Sequence, residues 1–391
     1  MINYGKQFID QSDIEEVKKV LEGDWLTQGP HIENFENKLS SYFNAKYVCA
    51  VSNGTAALHL AGHALGWGEN DLVITSPITF LATANSIIYS GAKPDFVDID
   101  AKSYTLDLNK LEDRINFFKK NNKSVKAIIG VDYAGHPCNW EELSYLSKKY
   151  NIQLINDNCH ALGAEYNGDK GYAVKFADIV TQSYHPVKHI TTGEGGSILT
   201  NNASYDKKVR LLRSHGMVKE EYQSDEQNGP WYYEMHELGY NYRITDMQSA
   251  LGTSQLKKLD EFIIKRRSIA MSYNNAFKSI PYVTIPYCDK NIFHSYHLYP
   301  LLIDFKKFSI TKIEFFIKMK EMGINLQVHY IPIHFQPYYS SNFGFQKGDY
   351  PISESFYQNE VSLPIYPGLE NEKVDYVINC VKNILANQKN E

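Results

Sequence analysis

The sequence predicts an α/β fold, a mainly parallel sheet covered by helices on both faces, followed by a smaller C-terminal α/β domain. Three observations carry this. Short apolar runs at Tyr47–Val51, Leu72–Thr75, 125–135 and 152–157 alternate with helix-length segments, the pattern of β-α-β units whose strands are buried on both faces. Phe80, Asp132, Asp157 and the loop bearing Lys188 each fall just past such a run, and in these sheets ligands gather at the carboxyl ends of the strands. With 391 residues, 43% of them hydrophobic, the chain can bury a sizeable core and divide in two, expected as residues 1–250 and 251–391.

In order along the chain, Ser12 and Glu15 have capping-box spacing, and Gly23 suits the stop of a first helix. Pro30 suits the first turn of the next helix, in which Ile32, Phe35, Leu39 and Phe43 form one apolar stripe for the core. YVCAV then leads through Ser52, Asn53, Gly54 and Thr55 into AALHLAGHALG, a strand, a turn and a helix. Free N–H groups at that helix start would hold an anion such as a phosphate at Gly54 and Thr55. A tight turn capped by the threonine, with no ligand, reads equally well. A second unit comprises LVIT, the loop SPITF, a helix around ATANSIIYSG and a strand at 93–100; a third has a strand at 125–135, a helix near WEELSYLSKKY and a strand at 152–157. Asp157 ends that last strand, where a carboxylate is costly to bury unless a cation or strong donor meets it. Its plainer role would be a cap. Phe80 is an aromatic after a strand, which is more often core.

Residues 177–181 (ADIVT) and Gly196–Thr200 (GSILT) both read as strands, so Lys188 lies on their connection. Such a lysine is ordinarily a solvated surface cation. Gly193, Gly195 and Gly196 nearby permit close approaches that suit a loop against a bound ligand, and they would also suit a flexible turn.

Farther on, Thr245 and Gln248 have capping-box spacing and open a long helix through ALGTSQLKKLDEFIIKRR, read as the bridge between domains. HSYHLYPLLID then reads as a strand, TKIEFFIKMKEM as a helix closed by Gly323, and INLQVHY as a further strand. His329 and His334 in HYIPIH stand five apart on a Pro-containing stretch, a poor spacing for a metal pair, and no metal is expected. The polar run 220–228 reads as an exposed loop.

The net charge of −5, from 40 basic and 45 acidic residues, argues against a nucleic-acid partner. Cys49, Cys138, Cys159, Cys288 and Cys380 are odd in number and form no CxxC pair, which suits a reducing cytoplasm. The N-terminus lacks a signal-peptide pattern, and no stretch approaches the ~18 apolar residues of a membrane span, so a cytosolic protein without membrane contact is expected.

Taken together, these residues point to pyridoxal 5′-phosphate. It needs a lysine at its aldehyde carbon, a carboxylate facing its pyridine nitrogen, a phosphate cradle and a flat contact for its ring. Lys188, Asp157, the Gly54–Thr55 turn and Phe80 are candidates for these places.

SYHPVKHITTGEGG, NDNCHALGAEY, SNGTAALHLA, SPITFLATANSI and GYNYRITDMQSALG together resemble the DegT/StrS-like family of sugar aminotransferases, of the aspartate aminotransferase fold (PLP fold type I). The resemblance runs from about LTQG to the C-terminal region. It implies that Lys188 links the cofactor, Asp157 faces the pyridine nitrogen, Phe80 stacks on the ring, and Gly54, Thr55 and Ser183 hold the phosphate. His160 stands where many members have Gln against the cofactor's phenolic oxygen. Asn241 matches an asparagine that reaches the neighbouring subunit's phosphate, which implies a homodimer with shared sites. In related sugar dehydratases a histidine takes the lysine's place; here Lys188 is retained. Adding LTQGP, VDYAGHPCNWEEL, RSHGM and LQVHYIPIH, the chain is most similar to members that aminate C4 of a UDP-4-keto-6-deoxy-N-acetylhexosamine, the β-L-arabino epimer of pseudaminic acid biosynthesis, with glutamate the usual amino-acid donor. The D-xylo epimer and a dTDP-3-keto-sugar are the alternative acceptors, and a non-catalytic PLP-binding sensor the alternative role. His329 and Tyr330 are the candidate sugar contacts, or else ordinary loop residues.

Overall fold

A computed structural model describes residues 1–219, 229 and 231–386; the polar run 220–228 lies outside them. Its centre is a seven-stranded sheet built from β1 (Tyr47–Val51), β2 (Leu72–Thr75), β3 (Lys93–Phe96), β4 (Val125–Val131), β5 (Gln153–Asp157), β7 (Ile179–Ser183) and β8 (Gly196–Thr200), with β6 (Glu165–Tyr166) pairing outside it. The order is β1-β8-β7-β5-β4-β2-β3. The contiguous run β7-β5-β4-β2-β3 is parallel, whereas β8 is antiparallel to both its neighbours, β1 and β7.

Alternate residues of each strand enter opposite cores, as the two-residue pleat requires. Val48, Ala50, Ile74, Ile128, Leu154, Val180 and Leu199 pack in one cluster with Phe35, Leu39 and Phe43 of the helix Pro30–Phe43. Cys49, Val51, Val73, Ile129, Ile155, Ile179 and Ile198 pack in the other, beneath the helix Gly54–Ala64. A further cluster gathers Ile2 with residues between 269 and 385, around a three-stranded sheet of Val283–Thr284, Tyr299–Ile303 and Glu360–Leu363.

Three local expectations shift. The first helix, Gln11–Leu21, is capped by Asp10 and Asp13, not by Ser12 and Glu15. Buried Asp13 also receives Lys258 Nζ at 2.6 Å and Gln255 Nε2 at 2.7 Å, so tertiary contacts fix which carboxylate caps. The Thr245 and Gln248 box forms, but its helix ends at Leu256 and a second runs Leu259–Phe277, so the bridge is two helices. Residues 324–330 make only isolated bridges, Ile2 with Ile324 and Gln327 with Ser362. The strand that pairs with Tyr299–Ile303 on that side is Glu360–Leu363, which the sequence reading did not mark.

Asp132 follows β4 but does not face a ligand site. Its carboxylate is buried and accepts Cys138 N–H, Trp140 Nε1–H, Asn158 Nδ2–H and the Tyr172 hydroxyl, all between 2.7 and 2.9 Å. Burial pushes its carboxyl up to about 6 against those donors. It anchors the segment behind Asp157.

Candidate active site

A cavity of about 840 Å³ opens where β1, β2, β4, β5 and β7 end, within the roughly 300–1,000 Å³ of small-molecule sites. Gly54, Thr55, Phe80, Asp157, His160, Ser183, Lys188, His329 and Tyr330 all line it. Asp132, His189 and His334 do not; His189 Nε2 faces the Ser295 carbonyl at 3.3 Å, and His334 pairs with Glu354 at 3.0 Å. Among the described residues no group of three or more His, Cys, Asp or Glu could hold a metal ion, and no helix is long and apolar enough to cross a membrane.

The turn after β1 is pressed against the end of β7. A Cβ on Gly54 would lie 2.8 Å from Ser183 Cβ, and one on Gly196 would lie 2.5 Å from the Asn53 carbonyl oxygen. Gly196 thus serves contact between two protein segments and not approach to a ligand. The helix start is capped by Asn53, whose side chain accepts Ala56 N–H at 2.8 Å. Thr55 is therefore not the cap and stays on the cavity wall. Gly54, Thr55 and Ser183 line the cavity together at a helix N-terminus, where free N–H groups favour an anion.

Asp157 is only 5% exposed and its carboxylate accepts the Thr83 hydroxyl at 2.7 Å and, more weakly, Cys159 N–H at 3.3 Å. Thr83 lies one helical turn beyond Phe80, a spacing that would have revealed it. Phe80 is 55% exposed, so the core reading of this ring fails; it stands 5.9 Å from the Tyr330 ring.

Lys188 Nζ has no hydrogen-bond or ion-pair partner among the described residues. Burial pulls its ammonium down from the ordinary lysine range, while Cys159 and Asp157 oppose the shift. That direction makes deprotonation easier than for a solvated lysine, which is what a nucleophile or base needs. Burial, and then the Lys188 charge, depress His160 well below the usual imidazole range and His329 to about 3. Both rings are neutral. Ala134 N–H points at His160 Nδ1 at 3.4 Å, which leaves the ring proton on Nε2, 3.1 Å from the Tyr330 hydroxyl. Two residues 170 apart in sequence thus meet across the cavity.

Asn241 is exposed and absent from the cavity wall, although Tyr242 beside it lines the wall and holds Ser52 N–H at 2.8 Å. Tyr4 also reaches the cavity from the far N-terminus, and His297 reaches it from the C-terminal half. No local pattern marks either.

Residues 7–382 match the DegT/DnrJ/EryC1/StrS aminotransferase family. The chain belongs to this family. Over 389 residues the aminotransferase is 40% identical to UDP-4-amino-4,6-dideoxy-N-acetyl-beta-L-altrosamine transaminase of Campylobacter jejuni subsp. jejuni serotype O:2, covering 100% of this chain and 99% of that one. It is 37% identical over 387 residues to the spore coat polysaccharide biosynthesis protein SpsC of Bacillus subtilis, with 98% and 96% covered. Among solved structures, Helicobacter pylori PseC, an aminotransferase involved in the biosynthesis of pseudoaminic acid, superposes with a TM-score of 0.90 at 33% identity over 99% of each chain. The fold is the aspartate-aminotransferase-like one expected from the motifs, and the protein is a sugar aminotransferase.

Proposed function

We propose that this aminotransferase carries an amino group from an amino acid, L-glutamate, to C4 of UDP-2-acetamido-2,6-dideoxy-β-L-arabino-hexos-4-ulose, giving UDP-4-amino-4,6-dideoxy-N-acetyl-β-L-altrosamine. The observation that carries this reading is the 40% identity, over essentially the whole length of both chains, to the Campylobacter jejuni transaminase of that product.

The cavity fits pyridoxal 5′-phosphate. It offers an unpartnered lysine amine, a buried carboxylate with lone pairs to spare, an anion cradle at a helix N-terminus and an exposed aromatic face. When bound, that cofactor supplies a ring that accepts the electron pair released at the donor's α-carbon. Gly54, Thr55 and Ser183 bind its phosphate, and Phe80 flanks its ring. The Asp157 carboxylate holds a proton at the pyridine nitrogen. His160 would approach the phenolic oxygen, its Nε2–H then shared between that oxygen and the Tyr330 hydroxyl. Lys188 Nζ would hold the cofactor at its aldehyde carbon, and its amine is the base placed to take the proton from the donor's α-carbon. His329 and Tyr330 face the sugar.

A competition between the β-L-arabino and D-xylo 4-keto epimers, with glutamate as donor and the amino sugar identified by NMR, tests the acceptor. The L-arabino product is expected in excess. Preference for the D-xylo epimer would reject the altrosamine assignment and leave amino transfer intact.

We also propose that the enzyme works as a homodimer, with Asn241 completing the partner's phosphate site. Its exposed position beside cavity-lining Tyr242 supports this. Light scattering should give a dimer, and Asn241→Ala should weaken cofactor retention about tenfold, the scale of one charge-assisted hydrogen bond. A fully active monomer would contradict the proposal.

A further inference from the structure

His329 is held by a buried relay that cofactor chemistry does not call for. Glu360 is wholly buried at the start of its strand. One carboxylate oxygen accepts the backbone N–H of His329 at 3.1 Å, and the other accepts the Ser362 hydroxyl at 2.5 Å. Ser362 Oγ in turn lies 2.8 Å from His329 Nδ1. A hydroxyl that gives its hydrogen to a carboxylate can only accept from the ring, so Nδ1 carries the imidazole hydrogen. His329 Nε2 then has a free lone pair, makes no hydrogen bond with the described protein, is not sealed from solvent, and belongs to a ring that lines the cavity. Burial pushes the Glu360 carboxyl up to about 7 against Ser362, the Lys312 charge and His329 N–H, so the ionised form that this direction of donation needs prevails above that pH. Lys312 itself is tied to the Tyr357 carbonyl at 2.6 Å.

We propose that Glu360 and Ser362 are positioning residues that lock His329 in its Nδ1–H tautomer, so that Nε2 accepts a hydrogen bond from a hydroxyl or amide N–H of the sugar substrate. The substrate part of this rests on reading the cavity as a nucleotide keto-sugar site. An unrestrained imidazole samples both tautomers, and the Nε2–H form would set a donor against the substrate's donor. The lock selects sugars with a donor at that place, because a buried group left unmatched is penalised.

The PLP-loaded protein, labelled with 15N-histidine and compared with His329→Asn to assign the signals, reports which ring nitrogen bears the hydrogen. Nδ1–H is expected, and an Nε2–H ring overturns the lock. In Ser362→Ala the ring should lose its single tautomer, and KM for the UDP-4-keto-sugar should rise about tenfold with a smaller change in kcat, the size of one hydrogen bond. Ser362→Thr, which keeps the hydroxyl, should restore both readings. A locked wild-type ring with KM unmoved by Ser362→Ala overturns the role in substrate recognition. If no nucleotide keto-sugar is aminated at all, the proposed function fails, and the tautomer is still decided by the labelled spectrum.

Discussion

Lys188→Ala should lower amino transfer by about a thousandfold or more, because one substitution removes the group proposed both to anchor the cofactor and to move the α-proton, and proton transfer alone is worth roughly 10²–10⁴. The same change should not unfold the protein. Lys188 Nζ gives up no hydrogen bond or ion pair with the described residues, and its ammonium is already disfavoured by burial. The sign follows from the lowered folded-state pKa. Below that pKa the fold bears the full cost of a desolvated charge, and the cost fades as pH rises towards the unfolded lysine value. The alanine protein without cofactor should therefore melt no lower than wild type at neutral pH, with the difference between the two shrinking in alkaline buffer. Formation of 2-oxoglutarate, borohydride fixation of the cofactor and thermal melting measure the three effects. Transfer within tenfold of wild type by the variant would remove Lys188 from the mechanism.

Asp157→Asn should cost about 10²–10³ in kcat, the range for losing one preorganised electrostatic partner of a developing charge, with little loss of stability. The asparagine side chain is the same size, and its oxygen can still accept Cys159 N–H or the Thr83 hydroxyl, which has Thr79 as a second partner at 2.7 Å. A carboxylate serving only as a cap would keep its activity on this change, because asparagine caps about as well as aspartate. Steady-state kinetics and melting of the same preparation separate the two. Normal kcat in a variant that melts like wild type would return Asp157 to a capping role.

Both predictions concern residues that sequence reasoning could place, since a lysine or a carboxylate just past an apolar strand is visible without coordinates. The strands were legible for the same local reason: YVCAV, LVIT and the AIIGV within 125–135 are almost wholly apolar, which is the mark of burial on both faces. Helix starts were legible where one capping pair competes with no other, as at Thr245 and Gln248. At the first helix several acidic and hydroxyl residues could cap, and Lys258 and Gln255, some 240 residues away, favour Asp10 and Asp13.

By itself the sequence determined the α/β class, the alternation of strands and helices, and the chemical groups at the strand ends, because these depend on side-chain type and spacing within a few residues. Only the tertiary structure decided which of those groups share a cavity. It turned Asp132 inward to four donors and Phe80 outward to the cavity wall, two aromatic-or-acid positions that local pattern treats alike. It set Tyr4 and His297 on the cavity wall, joined His160 to Tyr330, and put Glu360 and Ser362 behind His329. Each of those contacts spans a separation in sequence at which no periodicity operates; they arise because strands and helices already driven together by apolar burial bring distant polar groups within hydrogen-bond reach.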